Sequence, residues 1–166
     1  MEKRGEPRVL AGEQVYVGVD AHKRSYHVCL WSKGRGELTV WVQPSAPEVL
    51  CQRLSVYQEQ IAQVVYEAGP TGYQLVRELR ANGFPAEVIA PSKTLVLPGP
   101  EAKSDRLDCR RLAMFAEKGL LRPVPVPTEQ EEADRPVLRI RERMILKRRT
   151  VKKPIKRFLL QHSIPE

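Results

Sequence analysis

Apolar residues in the first third of the chain fall in short runs separated by polar turns. Val15–Val19 is a run of β-branched and small residues, the pattern of a buried strand. It leads into Asp20 and then a polar turn over Ala21–Ser25 that holds Lys23 and Arg24. Tyr26–Trp31 resumes a strand pattern, Ser32–Glu37 with Gly34 and Gly36 makes a second turn, and Leu38–Gln43 forms a third strand. Connections this short predict an antiparallel meander. Pro44 and Pro47 end it, and Ser45 suits the N-cap of a helix over Pro47–Gln60. Val49, Leu50, Leu54, Tyr57 and then Ile61 keep helical spacing.

Gln63–Glu67 then predicts a strand ending in an acid, closed by Ala68-Gly69-Pro70. Thr71 is placed to cap a helix over Gly72–Ala81, which stops at Asn82-Gly83, and Ala86–Ala90 is a further strand. Strands separated by helices of this length indicate crossovers and parallel pairing. Pro91–Ala102 reads as a loop, Ser104 as the cap of a helix to about Lys118, and Gly119 as its stop. Leu121–Pro127 alternates Pro and Val, an extended edge or linker. The order is three antiparallel strands, helix, strand, helix, strand, helix. That is the arrangement of an α/β, ribonuclease-H-like fold with a mixed five-stranded sheet and flanking helices.

The character of the chain changes at Thr128, so residues 1–128 and 129–166 are expected to form separate parts. Val137, Met144, Val151 and Phe158 recur every seven residues with Leu138, Ile145 and Leu159 beside them. This is an apolar stripe suited to packing on another helix, a coiled-coil segment. Pro154 lies inside it, and an interior proline costs ~3 kcal/mol or kinks the helix, so a bend or break is expected there.

Charge sharpens this division. The formal net charge is +8, which favours a polyanionic partner. Residues 129–166 hold 11 Lys/Arg against six Asp/Glu, and Arg135–Arg157 contains a single acid, Glu142. The run Arg139–Arg157 is therefore the main nucleic-acid candidate, with Arg139, Arg143, Lys147, Arg148, Lys152 and Lys156 as contacts. Lys103 and Arg106 are further phosphate candidates beside the acids of the last domain helix, where Arg110 and Arg111 also crowd. The three cysteines, Cys29, Cys51 and Cys109, have no metal-site spacing and read as reduced thiols of a reducing compartment. The N-terminus lacks an apolar signal core, and no window approaches the ~18 apolar residues of a membrane span. A soluble, cytoplasmic protein is expected.

The chemistry lies in the carboxylates. An ionised Asp closing an apolar strand is costly unless paired or coordinated, and in the expected sheet Asp20 and Glu67 end neighbouring strands. Ligands of open α/β sheets gather at strand C-termini. Asp105 and Asp108 are three apart on a predicted helix, hence on one face, and Asp105 falls in a first turn where the helix dipole favours its charge. Taken singly, acids after Ser104 are ordinary capping chemistry and Glu67 before Gly69-Pro70 marks a turn. Four converging carboxylates, however, repel one another, and hard divalent cations resolve the conflict. Mg²⁺ prefers a few carboxylates with phosphate oxygens and water, and a pair of ions serves in-line phosphoryl displacement.

VGVDAHKRSYHVCL (17–30), VYEAGPTG (65–72), VIAPSK (88–93) and KSDRLDCRRLA (103–113) together resemble the N-terminal half of bacterial insertion-sequence transposases of the DEDD class. These are relatives of the pilin-gene invertase with a RuvC-like domain, and the resemblance spans essentially the whole chain. It implies that Asp20, Glu67, Asp105 and Asp108 are the catalytic, metal-binding acids for Mg²⁺ or Mn²⁺, in a pair of ions. It also implies DNA as substrate, an RNA guide in some members, and a homo-oligomer formed through the helical tail. Cys109 and Pro154 depart from the family pattern, where a small residue such as Ala and an ordinary helix former are expected. Members continue into a domain with a nucleophilic Ser, so a truncated transposase unable to recombine DNA alone is expected.

His22 and His27 read as polar turn and strand residues. Two other functions compete: a non-catalytic nucleic-acid-binding or oligomerisation module, and an actin-like or sugar-kinase-like ATPase. The latter needs a Gly-rich phosphate turn after the first strand, and Ala21-His22-Lys23-Arg24 has no Gly.

Overall fold

The computed structural model describes residues 7–69, 72–90 and 105–165, the side chains of 105–107 excepted. It divides into two units, Met1–Val126 and Pro127–Glu166. In the first, β1 (Val15–Ala21), β2 (Ser25–Ser32) and β3 (Gly36–Pro44) form the expected meander. Helix α1 (Pro47–Leu54) and a 3-10 turn (Ser55–Tyr57) lead to β4 (Ile61–Glu67), then α2 (Gln74–Ala81) to β5 (Ala86–Ile89), and α3 (Asp105–Glu117) follows. The sheet order is β3-β2-β1-β4-β5, with β4 and β5 parallel to β1. This is the mixed α/β sheet of a ribonuclease-H-like fold, with β1 at its centre.

Alternation along the strands assigns each face its cover. Val15, Val17, Val19, Val28, Val64 and Tyr66 are buried on one face with Leu50 and Leu54 of α1 and Leu75 and Leu79 of α2. The opposite face carries Tyr16, Gly18 and Asp20 of β1, Cys29 of β2 and Val65 of β4. Cys109, Leu112, Ala113 and Ala116 of α3 pack there. The closest approach is at Gly18. A Cβ on that residue would stand 2.0 Å from the Cys109 carbonyl oxygen and 2.6 Å from the Ala113 nitrogen. The α3 backbone therefore lies directly on the central strand, which only glycine permits.

Several ends differ from expectation. Ile61, on helical spacing with Tyr57, opens β4 instead of closing α1, because the chain turns at Ser55–Tyr57. Ala46 occupies the N-cap of α1 without a side-chain bond. Ser45 Oγ donates to the Lys23 carbonyl at 2.8 Å, tying the helix entry to the β1–β2 turn. Gly119 does end α3, with φ +64° and with Leu120 N–H donating to Phe115 O at 3.0 Å. The segment after it pairs along β5, Val124 N–H donating to Val88 O at 2.8 Å. Ahead of β1, Glu13 accepts from Arg35, Ser32 Oγ and Leu10 N–H, in that order of influence, which holds its carboxyl down at about 2. Thr71, Ser104 and the loop 91–102 lie outside the described residues.

The second unit contains α4 (Glu129–Gln161). Thr128 caps it in a capping box: its Oγ1 accepts from Glu131 N–H at 3.2 Å, and its own N–H donates to Glu131 Oε2 at 2.8 Å. The helix runs through Pro154, and through Pro136 as well, so the expected break is absent. A proline removes one backbone bond and leaves the turns on either side to hold the helix. Val137, Met144 and Phe158 are 66%, 66% and 55% exposed, and no residue of α4 is buried. Among the described residues no helix is long and apolar enough to cross a membrane.

Gly18→Ala is expected to destabilise the first unit by about 3 kcal/mol or more, because the clash is with helix backbone that cannot rotate away. Gly69→Ala, whose nearest neighbour is at 3.9 Å, should stay within ~0.5 kcal/mol of wild type. Guanidinium unfolding followed by fluorescence of Trp31 and Trp41 measures both, and equal midpoints would refute the close-packing account.

Candidate functional site

Asp20 is the penultimate residue of β1, not its last, and it pairs across to His27 on β2. Its side chain is 20% exposed. In the parallel register Val19 faces Tyr66, so Asp20 and Glu67 each follow the last registered pair on adjacent strands. Alternation puts both on the α3 face, and adjacent strands lie ~4.8 Å apart. Glu67, half-buried, closes β4 opposite Ile89 of β5. These two acids therefore share one face at the C-terminal ends of the two central parallel strands.

Helix α3 carries Asp108 one residue before Cys109, which packs on that face. Cys109, buried against Gly18, has its thiol pushed up to about 12, first by burial and next by the negative charge of Asp20. The Asp20 charge is thus felt one residue from Asp108, which is half-buried. Position 105 begins the helix one turn before Cys109. The side chains of Asp105 and Arg106, and all of Lys103, lie outside the described residues. Among the described residues, no three His, Cys, Asp or Glu side chains gather as a metal site.

The partners of two residues near this face were not foreseen in the sequence. His22 Nε2 is 2.9 Å from Asp20 Oδ2, a contact carried by the D-x-H spacing. Arg110 is engaged with Glu37 of β3, Nε to Oε2 at 2.5 Å and Nη2 to Oε1 at 2.9 Å. The guanidinium that stood as a phosphate candidate thus pins α3 to the meander. The turn after β1 is closed by His22 N–H donating to Ser25 O at 3.0 Å. Such a tight, glycine-free turn offers none of the phosphate cradle an actin-like or sugar-kinase-like ATPase requires.

Of the basic candidates, Arg139, Arg143, Lys147, Arg148, Lys152 and Lys156 are all exposed on α4. Arg139, Arg143 and Lys147 follow one another at intervals of four, as do Arg148, Lys152 and Lys156, which makes two rows along the helix.

The IS110-type DEDD transposase family model, described as transposase, matches residues 17–164. The chain belongs to this family. It is 33% identical over 155 residues to "Putative transposase y4qE" of Sinorhizobium fredii (strain NBRC 101917 / NGR234), covering 90% of this chain and 40% of that protein. It is 29% identical over 156 residues to the transposase for insertion sequence element IS1533 of Leptospira borgpetersenii, covering 91% and 45%. The chain thus spans less than half the length of either relative. The large terminase nuclease from thermophilic phage G20c, solved with bound zinc, matches at TM-score 0.43 and 18% identity, over 72% of this chain and 70% of that one.

Burial raises the thiols of Cys29 and Cys51 as well as that of Cys109. A raised thiol stays protonated and unreactive below its titration range. At pH 8 the native chain should therefore react negligibly with Ellman's reagent, and three thiols should appear on unfolding. Rapid reaction of any cysteine in the native chain would contradict the packing of α3 and α1 on the sheet.

Proposed function

We propose that this chain is the metal-binding, nuclease-type portion of a DNA transposase, acting on phosphodiester bonds with Asp20, Glu67, Asp105 and Asp108. The observation that carries the reading is the pairing of Asp20 and Glu67 on the α3 face of adjacent strand ends, in a chain of the DEDD family. The donor set fits the group: carboxylate oxygens are hard ligands suited to Mg²⁺ or Mn²⁺. Asp20 and Glu67 would hold the ions from the sheet, and Asp105 and Asp108 from the first turn of α3. Bound there, a pair of divalent ions supplies charge stabilisation to the oxygens of a phosphodiester. The protein's own part is to fix the acids on rigid elements.

In the same reading residues 1–128 are the catalytic domain and 129–166 a basic helical segment. The two basic rows of α4 hold the phosphate backbone of DNA. An RNA guide would be held by the same phosphate chemistry. The exposed apolar stripe Val137, Met144, Val151, Phe158 pairs with the helix of a second copy.

Mn²⁺ or Mg²⁺ at a hundredfold excess over its dissociation constant should stabilise the chain by ~2.7 kcal/mol, a rise in Tm on the order of 5 °C or more. Asp20→Asn combined with Asp105→Asn should abolish the rise. A wild-type Tm indifferent to both ions would refute the metal assignment.

Binding to duplex DNA should weaken with salt at a log–log slope of about −0.9 per phosphate contact. Replacing Arg139, Arg143 and Lys147 together by Ala should flatten that slope by about 3. A slope unchanged by the triple substitution would remove α4 as the phosphate-binding surface.

A further inference from the structure

The β1–β2 turn is closed by its own backbone, yet the His22 side chain folds back over the strand end. Its Nε2 lies 2.9 Å from Oδ2 of Asp20, while the ring itself remains 44% exposed. A carboxylate oxygen accepts, so in this contact the imidazole serves as the donor from Nε2. The ring is held from the other side. His27, the cross-strand partner of Asp20, meets it edge-to-face, with ring centroids 5.7 Å apart at 81°. A line of contacts thus runs from His27 on β2, through His22 in the turn, to one oxygen of Asp20 on β1.

This line contributes little to folding. The turn has its main-chain bond from His22 N–H to Ser25 O, and an exposed ring adds no core. Its effect falls on the orientation of Asp20. An aspartate on a strand end has two side-chain torsions, and a hydrogen bond to one oxygen restricts both. Carboxylates that bind metal are commonly oriented in this way by a neighbouring donor, and loss of such a donor typically costs ~10–100-fold in metal affinity.

We propose that His22 is a positioning residue, which presets the Asp20 carboxylate for a divalent cation by donating from Nε2 to Oδ2 with His27 as its brace. The inference rests on the metal reading above. His22 is not itself a ligand in this scheme. It acts through Asp20.

The test is Mn²⁺ binding to the full chain, followed by the loss of the free-ion electron paramagnetic resonance signal. Wild type, His22→Ala, His22→Gln and Asp20→Asn are compared, with the metal-free Tm of each. Gln can place an amide N–H where Nε2 stands, so it supplies the donor without the ring. His22→Ala should weaken Mn²⁺ binding ~10–100-fold, His22→Gln should restore most of the affinity, and the metal-free Tm values of wild type and the two His22 variants should coincide. Affinity in His22→Ala equal to or above wild type overturns the inference, because His22 is then idle or competes with the ion. Failure of His22→Gln to restore affinity overturns the hydrogen bond as its basis. A fall in the metal-free Tm of His22→Ala that parallels its loss of affinity overturns it in favour of a structural role. Asp20→Asn binding Mn²⁺ as wild type does, or a wild type that binds none, defeats the metal reading itself and the inference with it.

Discussion

The contact of α3 with Gly18 is the constraint from which the rest of this unit follows. A helix normally rests on a sheet through interlocking side chains. Here the carbonyl of Cys109 occupies the space a Cβ would need on the central strand. Small residues continue the fit on the helix side, with Cys109 and Ala113 packed against Cys29. The Arg110–Glu37 pair adds to this from the rim. Both partners are about a third exposed, so such a pair is worth no more than ~1 kcal/mol. Packing, not charge, therefore seats the helix, and the ion pair selects its lateral position over the meander.

That seating has an electrostatic cost. Asp20 stands two residues beyond Gly18 on the same face, so lowering α3 onto the strand brings its first turns towards a carboxylate that is only 20% exposed. Cys109 feels it, its thiol pushed up first by burial and next by the Asp20 charge. A sequence selected for stability alone would place an apolar or basic residue at the end of β1. Local preference and global arrangement disagree at this point of the fold, which is where functional sites are expected to lie.

The parts of this arrangement that depend on near neighbours were legible in the sequence. Alternation over 15–43 yields the meander, and Gly119 yields the end of α3. Thr128-Glu129-Gln130-Glu131 carries a capping box that composition alone passes over. Ile61 was assigned to the wrong element because its spacing from Tyr57 satisfies a helix as well as a new strand, and only the 3-10 turn between them decides. Gly18 gave no sign of its role, since the partner that demands glycine is some ninety positions away. His22 was read as a turn residue because its contact with Asp20 requires the ring to fold back over the strand, which spacing permits but does not impose. Pro154 was weighed at its cost in isolation, and a helix of 33 residues absorbs that cost without ending.

The placement of the acids also sets how precisely each is held. Asp20 and Glu67 stand on β1 and β4, adjacent interior strands in the order β3-β2-β1-β4-β5. Their separation is set by backbone hydrogen bonding and is hard to change. Asp108 belongs to an element whose position against those strands depends on the close approach at Gly18 and the packing of Leu112, Ala113 and Ala116. Any change that lifts α3 therefore alters the spacing between Asp108 and the two strand acids while leaving Asp20 and Glu67 in place. Gly18 and Ala113, with no polar side chain, thereby set where Asp108 stands against the sheet.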